Sequence, residues 1–393
     1  MNAPVKEAEV AARRIRDPRL DFFRGLGMFI ILIAHVPNNT WVNWIPARFG
    51  FSDAADMFVF CSGMASALAF GSVFAQRGWL MGAARILHRI WQVYWVHIGS
   101  CLVLAAVLVA IDRWIGDSNY FAQFALDKIF SSGPDRILQL MTLRYVPEVY
   151  FDILPMYIVL LAMIPLVMAL ARIHVALVFV FMFVLWFAAH VLHYNWNAQP
   201  EGGRGWYFNP LAWQLVFFSG FALMRGWWPA PPRNRTLLIA CIVYVAAAAL
   251  VGCQYGYTCH AGFGFAPALG DIHTALDYWI DKTSQGPLRY IHFMATVYIA
   301  WYFAGVSGRN LTGPVVEIVR KVGTQTLAVF LTSLIAAPVL GIFIERMGHG
   351  FPIVLVANVL GIAILIAAGR MTGWFKSSPW RARHVRAGGP APE

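Results

Sequence analysis

The amino-acid sequence predicts an all-α polytopic membrane protein with about ten transmembrane helices and both termini cytoplasmic. Three observations carry that prediction. Apolar residues make up 59% of the 393-residue chain and charged residues 12%, with a mean hydropathy of +0.61; a soluble chain carries about 25% charged residues. Ten apolar runs reach or approach the ~20 residues that a helix needs to cross hydrocarbon. The basic residues, finally, gather on alternate sides of those runs, as the positive-inside rule requires.

The first 21 residues are polar and basic and read as a cytoplasmic tail. Spans follow near residues 22–37, 55–75, 84–111, 151–171 and 175–193, then near 210–229, 235–253, 291–307, 325–345 and 350–370. No short cleavable leader precedes the first run, so residues 22–37 form a retained first span. Residues 371–393 make a second basic cytoplasmic tail, which leaves 22–370 as one membrane domain. With the N-terminus inside, inner segments hold 21 of the 30 lysines and arginines and outer segments hold 9. The 19 acidic residues divide the other way, 6 inside and 13 outside. In the outer segment 112–150, "YFAQFALDKIF" reads as a short amphipathic helix at the surface. A second outer segment, 254–290, is aromatic and mildly acidic, and the inner turn "RGWWPAPPRNR" is basic and stiffened by proline. No internal repeat supports the inverted halves of many transporters.

The net charge of +11 does not imply nucleic acid, because no basic stripe, zinc-finger spacing or recognition helix accompanies it. Of the five cysteines, Cys61, Cys101 and Cys241 lie in apolar runs as packing residues. Cys253 and Cys259 flank "QYGYT" in an outer loop, where a disulfide is permitted. Neither pair has the spacing of a zinc site, so no metal centre is expected.

Arg24 and His35 stand on the first span, eleven residues apart. At 100° per residue they share one face, separated by about 16.5 Å along the axis. Taken singly, Arg24 reads as a snorkelling anchor and His35 as a polar helix end beside Pro37. Both are costly in lipid, so their common face points to protein or a hydrated cavity. A donor with a phosphate-bearing head and a long arm suits the pair. Arginine's planar fork meets phosphate, and a neutral histidine accepts a proton near neutral pH.

Arginine, ten residues, then histidine in the first span is the hallmark of the acyltransferase-3 superfamily, which this chain resembles. The fuller stretch "RDPRLDFFRGLGMFIILIAHVP", followed by "FSDAADMFVFCSG", closely resembles the OpgC family. Further matching stretches are "RILHRIWQVYWVH" at 85–97, "YFDILPMYIVLLAMIP" at 150–165, "PLAWQLVFFSGF" at 210–221 and "LRYIHF" at 288–293. The resemblance implies a succinyltransferase of the bacterial inner membrane that acts on osmoregulated periplasmic glucans. Succinyl-CoA would be the donor substrate, with no tightly bound cofactor, and a glucan hydroxyl the acceptor. It implies donor handling by Arg24 and catalysis by His35.

Other roles follow from position. Asp53 and Asp56 enter the second span at the level of His35, and a carboxylate accepting the second imidazole N–H would fix its tautomer; Asp56, being deeper, leads, and helix capping is the bland reading for both. Ser62, with Gly63, either makes room for the pantetheine arm or marks a close helix crossing. Arg85 and Arg89, one turn apart at the inner end of the third span, are candidates for the nucleotide phosphates, with His88 nearby and Arg77 behind them. They equally serve as positive-inside anchors.

Glu148 and Asp152, at the outer mouth of the fourth span, are candidates for sugar hydroxyls. Trp41 and Trp206 are candidates for sugar stacking among Trp44, Trp196, Tyr207 and Trp279, although interfacial belts carry the same residues. Gln214 is a buried amide without an assigned purpose, and His292 fits either packing or the site. The chemistry leaves acetyl transfer to another envelope polysaccharide open, as well as a glycan transporter or flippase. Membrane lipids are the expected surroundings, and a homo-oligomer remains compatible with the sequence.

Overall fold

The computed structural model describes residues 17–130, 133–148, 150–252 and 266–380, with backbone alone for 266–270. Thirteen helices organise them: α1 (Pro18–His35), α2 (Ala54–Arg77), α3 (Trp79–Ile115), α4 (Pro134–Met141), α5 (Ile153–Ile173), α6 (Val175–His190), α7 (Pro210–Arg225), α8 (Arg235–Val251), α9 (Ala266–Ile280), α10 (Pro287–Ala304), α11 (Pro314–Thr324), α12 (Thr326–Met347) and α13 (Phe351–Lys376). Among the described residues there is no strand, only an isolated bridge between Asn197 and Gly205. Each apolar run coincides with one helix. Five of them, α2, α3, α5, α12 and α13, are long and apolar enough to cross a membrane.

α1 starts four residues before the apolar run because Asp17 caps it, accepting the Arg19 N–H at 2.9 Å, with Pro18 at the first helical position. α3 has 37 residues, about 55 Å at the helical rise. It outlasts the predicted span because its polar ends stay helical beyond the ~30 Å of hydrocarbon.

The segment 112–150 departs from expectation. "YFAQFALDKIF" is not one amphipathic helix but two four-residue turns, Tyr120–Gln123 and Asp127–Phe130. They are broken where Ala125 takes a left-handed φ of 57°. The Asp112 carboxylate accepts the Tyr120 and Phe121 N–H groups at 2.8 and 2.9 Å and ties the first turn to the end of α3. The amphipathic helix of this region is α4 instead. α9 and α11 also lie where loops were expected, because both are too short and too polar to register as spans. The Cys253–Cys259 pair lies outside the described residues.

α1 is the central element, packed against α2, α11, α12 and α13, while α2 packs along α7. Two crossings are backbone on backbone. A Cβ on Gly25 of α1 would stand 1.9 Å from Val319 O of α11, and one on Gly63 of α2 would stand 1.9 Å from Phe217 O of α7. Small residues permit this approach, which is how helices associate when lipid removes the hydrophobic incentive. Gly63→Ala is therefore expected to destabilise the fold by about 1–3 kcal/mol, read as a lower thermal midpoint in detergent. Gly99→Ala is the control, since its Cβ would meet nothing within 4 Å.

Candidate functional site

α1 is continuous from Arg24 to His35, and both side chains are half-buried. His35 Nδ1 lies 2.6 Å from Ile31 O. A carbonyl only accepts, so Nδ1 carries the proton and Nε2 keeps its lone pair. Tyr150 donates its hydroxyl to His35 O at 2.9 Å, and the two rings lie 5.3 Å apart. The imidazole is thus held by its own helix and by the segment leading into α5. The expected orienting carboxylate is not its partner: the acceptor on Nδ1 is Ile31 O rather than Asp56.

Asp53 and Asp56 do cap α2. Asp53 accepts the Ala55 N–H at 2.8 Å, and Asp56 accepts the Asp53 N–H at 2.9 Å. Both carboxylates also meet the segment before and at the start of α10. Arg289 Nη2 lies 2.5 Å from Asp56 and 3.1 Å from Asp53, and Lys282 Nζ lies 2.6 Å from Asp53. Gln285 donates to Asp56 at 2.8 Å. Asp56 and Gln285 are fully buried, and Arg289 is 5% exposed. Burial alone would raise the Asp53 carboxyl, but Lys282 and Arg289 outweigh it and hold the group well below the usual carboxylate range. Lys282 and Asp53 are also charges that act on the His35 ring.

Arg24 lies close enough to Cys61 of α2 for its charge to act on the thiol. Ser62 is buried and donates to Phe58 O one turn back at 2.7 Å, while Gly63 beside it forms the α2–α7 crossing. Arg85 is exposed over the Phe70 ring, 5.9 Å from its centroid. Arg89 donates to Gln92, which also pairs with His88, and Arg77 is exposed. Arg77 lies at the end of α2, and Arg85 and Arg89 lie in the first half of α3. Gln214 donates to Met182 O at 2.7 Å and ties α7 to α6. His292 pairs with Ser52 at 2.8 Å, next to the acid cluster.

Ahead of α5, Glu148 and Asp152 share Arg204, at 3.7 and 3.9 Å, and Lys128 reaches Glu148 at 3.4 Å. Asp152 is 8% exposed and its Oδ1 is buried without a hydrogen bond. It precedes the spanning helix α5. Burial pushes its carboxyl up to about 7, with Arg204 opposing and Glu148 adding to the shift. Trp206 is buried, donates to Asn197 O and meets Trp196 edge-on. It belongs to the folded 195–206 segment, with no face left for a sugar. Trp41 and Trp44 instead border a 390 Å³ recess with Ile33 and Phe351, while Tyr207 and Trp279 remain exposed. A larger cavity, 610 Å³, lies between α6, α7 and α10, with walls including Phe183, Trp186 and Ile291; it contains none of the candidate residues. Among the described residues, no group of three His, Cys, Asp or Glu side chains is placed to hold a metal.

Sequence reasoning missed Tyr150, Lys282, Gln285 and the role of Arg289. A signal existed for two of them: Lys282 and Arg289 are among the few basic residues on the acid-rich side of the charge pattern. Residues 16–377 match a family model described as OpgC protein. No curated protein and no solved structure matches the chain.

Proposed function

The chain belongs to the OpgC protein family, and on that premise we propose that it is an inner-membrane O-acyltransferase that carries a succinyl group from cytoplasmic succinyl-CoA to hydroxyls of osmoregulated periplasmic glucans. The observation that carries this reading is the tautomer of His35. With Nδ1–H on Ile31 O, Nε2 is a proton acceptor at the outer end of α1. In the reaction, the glucan hydroxyl oxygen attacks the thioester carbonyl while Nε2 takes its proton. The C–S bond then breaks, and the imidazolium returns the proton to the departing thiolate of CoA. One ester and one thiol result from one thioester and one alcohol. Direct transfer needs no acyl-enzyme.

Arg24, about 16.5 Å below His35 along α1, sits where the phosphates of a cytoplasmic CoA head would lie if the pantetheine arm spans the interval. This arrangement, of the acyltransferase-3 type, needs the N-terminus in the cytoplasm and ten crossings with both termini inside. The charge distribution and the ten apolar helices support that topology. No CoA molecule then has to cross the membrane.

Glu148, Asp152 and Arg204, with Tyr207, form the acceptor side of the proposal. Asp152 would be a carboxylic acid below pH about 7 and a carboxylate above it; only the neutral form donates a hydrogen bond to a sugar oxygen. Glucan affinity is therefore expected to fall as pH rises through about 7, with Arg204, Glu148 and Lys128 as the charged groups facing it. Equilibrium binding of a glucan fragment across that range checks this, and Asp152→Asn should bind without the inflection.

The direct test is mass spectrometry of glucan after incubation with purified protein in lipid and either succinyl-CoA or acetyl-CoA. A succinyl increment supports the reading, and preferential acetylation would reassign the donor. No transfer of either group to a suitable glucan would favour a transporter or flippase.

A further inference from the structure

Lys282 is presented rather than merely placed. The segment carrying it is pinned at each residue from 281 to 285. Trp213 Nε1 donates to Lys282 O at 3.0 Å, and Trp186 Nε1 donates to Gln285 O at 2.9 Å. The Asp281 carboxylate accepts the Thr283 and Ser284 N–H groups at 3.2 and 2.6 Å. The ammonium stands over the Tyr207 and Phe208 rings, 5.4 Å from each centroid, and acts on His35.

The two cations of the cluster differ in what they have left to give. Arg289 is buried, with Nη2 on both carboxylates and Nη1 on Phe51 O at 2.5 Å. The Lys282 side chain keeps 27% of its surface, and an ammonium has three donors, of which one goes to Asp53. Asp53 does not depend on Lys282 alone: it also holds Arg289 and the Ala55 N–H. Lys282 can therefore turn to another anion without leaving a buried carboxylate unpaired, which would otherwise be strongly unfavourable.

We propose that Lys282 is the specificity-determining residue for the acyl donor, turning from Asp53 to the free carboxylate at the far end of an acyl chain held for transfer at His35. The inference rests on the acyl-transfer reading and adds to it the residue that would recognise the carboxylate end of the succinyl group. Tyr207 and Phe208 shield the ammonium from solvent on one side and strengthen its attraction for that anion.

The test compares kcat/KM for succinyl-CoA and butyryl-CoA, which has the same four-carbon chain with a methyl in place of the carboxylate. The ratio of the two does not depend on the fraction of protein that is active. Lys282→Met should lower the succinyl-to-butyryl ratio by about 10- to 100-fold, the value of a charged hydrogen bond, while butyryl transfer persists; Lys282→Arg should keep most of the preference. A parallel fall with both donors would make Lys282 an electrophile or a structural residue and overturn the proposal, as would an unchanged ratio. If Lys282→Met does not fold, wild-type protein given succinyl-CoA and its methyl ester decides the matter, because equal use of the two overturns it. Failure of wild-type protein to transfer any of these groups would overturn the acyl-transfer reading itself.

Discussion

Replacing His35 by glutamine is expected to lower the rate of acyl transfer by about 10²- to 10⁴-fold, the usual share of a positioned general base. Glutamine preserves the size of the side chain and its ability to donate to Ile31 O, but it offers no proton acceptor of comparable basicity. Arg24 is eleven residues away on the same helix, so succinyl-CoA affinity should be little changed. Single-turnover transfer and equilibrium donor binding, measured side by side, check the separation. Loss of both together would mean that His35 supports the fold of α1's end rather than the chemistry. A rate within a few-fold of wild type would remove His35 from the reaction.

Arg289→Met is expected to produce the largest loss of stability among single changes in the acid cluster, about 3–5 kcal/mol, because it strands a buried charge. Asp56 is fully buried and would keep only Gln285 and the Asp53 N–H as partners. Combining Arg289→Met with Asp56→Leu removes the stranded carboxylate as well, so the double variant should be more stable than Arg289→Met alone. Thermal unfolding in detergent of the wild type, both single variants and the double variant measures the coupling. Additive losses would show that the ion pair contributes nothing beyond packing.

The helices were legible because apolar runs and the sign of the loops report directly on a membrane. That Arg24 and His35 lie on one continuous helix was legible for a related reason, since spacing along a helix fixes geometry. The partners of Asp56 were not, since Gln285 and Arg289 are 229 and 233 residues away in sequence and no local periodicity links them. Ile31 O on His35 and Phe58 O on Ser62 were hidden for another reason. Backbone carbonyls are present at every position, so residue type does not reveal which one a side chain will choose. Trp206 looked like a stacking platform until the 195–206 segment folded over it. α9 and α11 escaped notice because each is too short to cross hydrocarbon and gains its order from the helices it packs against.

The bond from His35 to Ile31 O has one more consequence. An imidazole aimed by a carboxylate is aimed by a group that itself titrates; a peptide carbonyl stays neutral across the whole physiological range. The tautomer of His35 is therefore written into the winding of the last turn of α1, and acidity alone does not erase it. The same turn presents the negative end of the helix to the ring, so an imidazolium formed there would be balanced by peptide dipoles instead of an ion. Whatever unwinds that single turn, just ahead of Pro37, would free the ring to change its tautomer without altering any of its atoms.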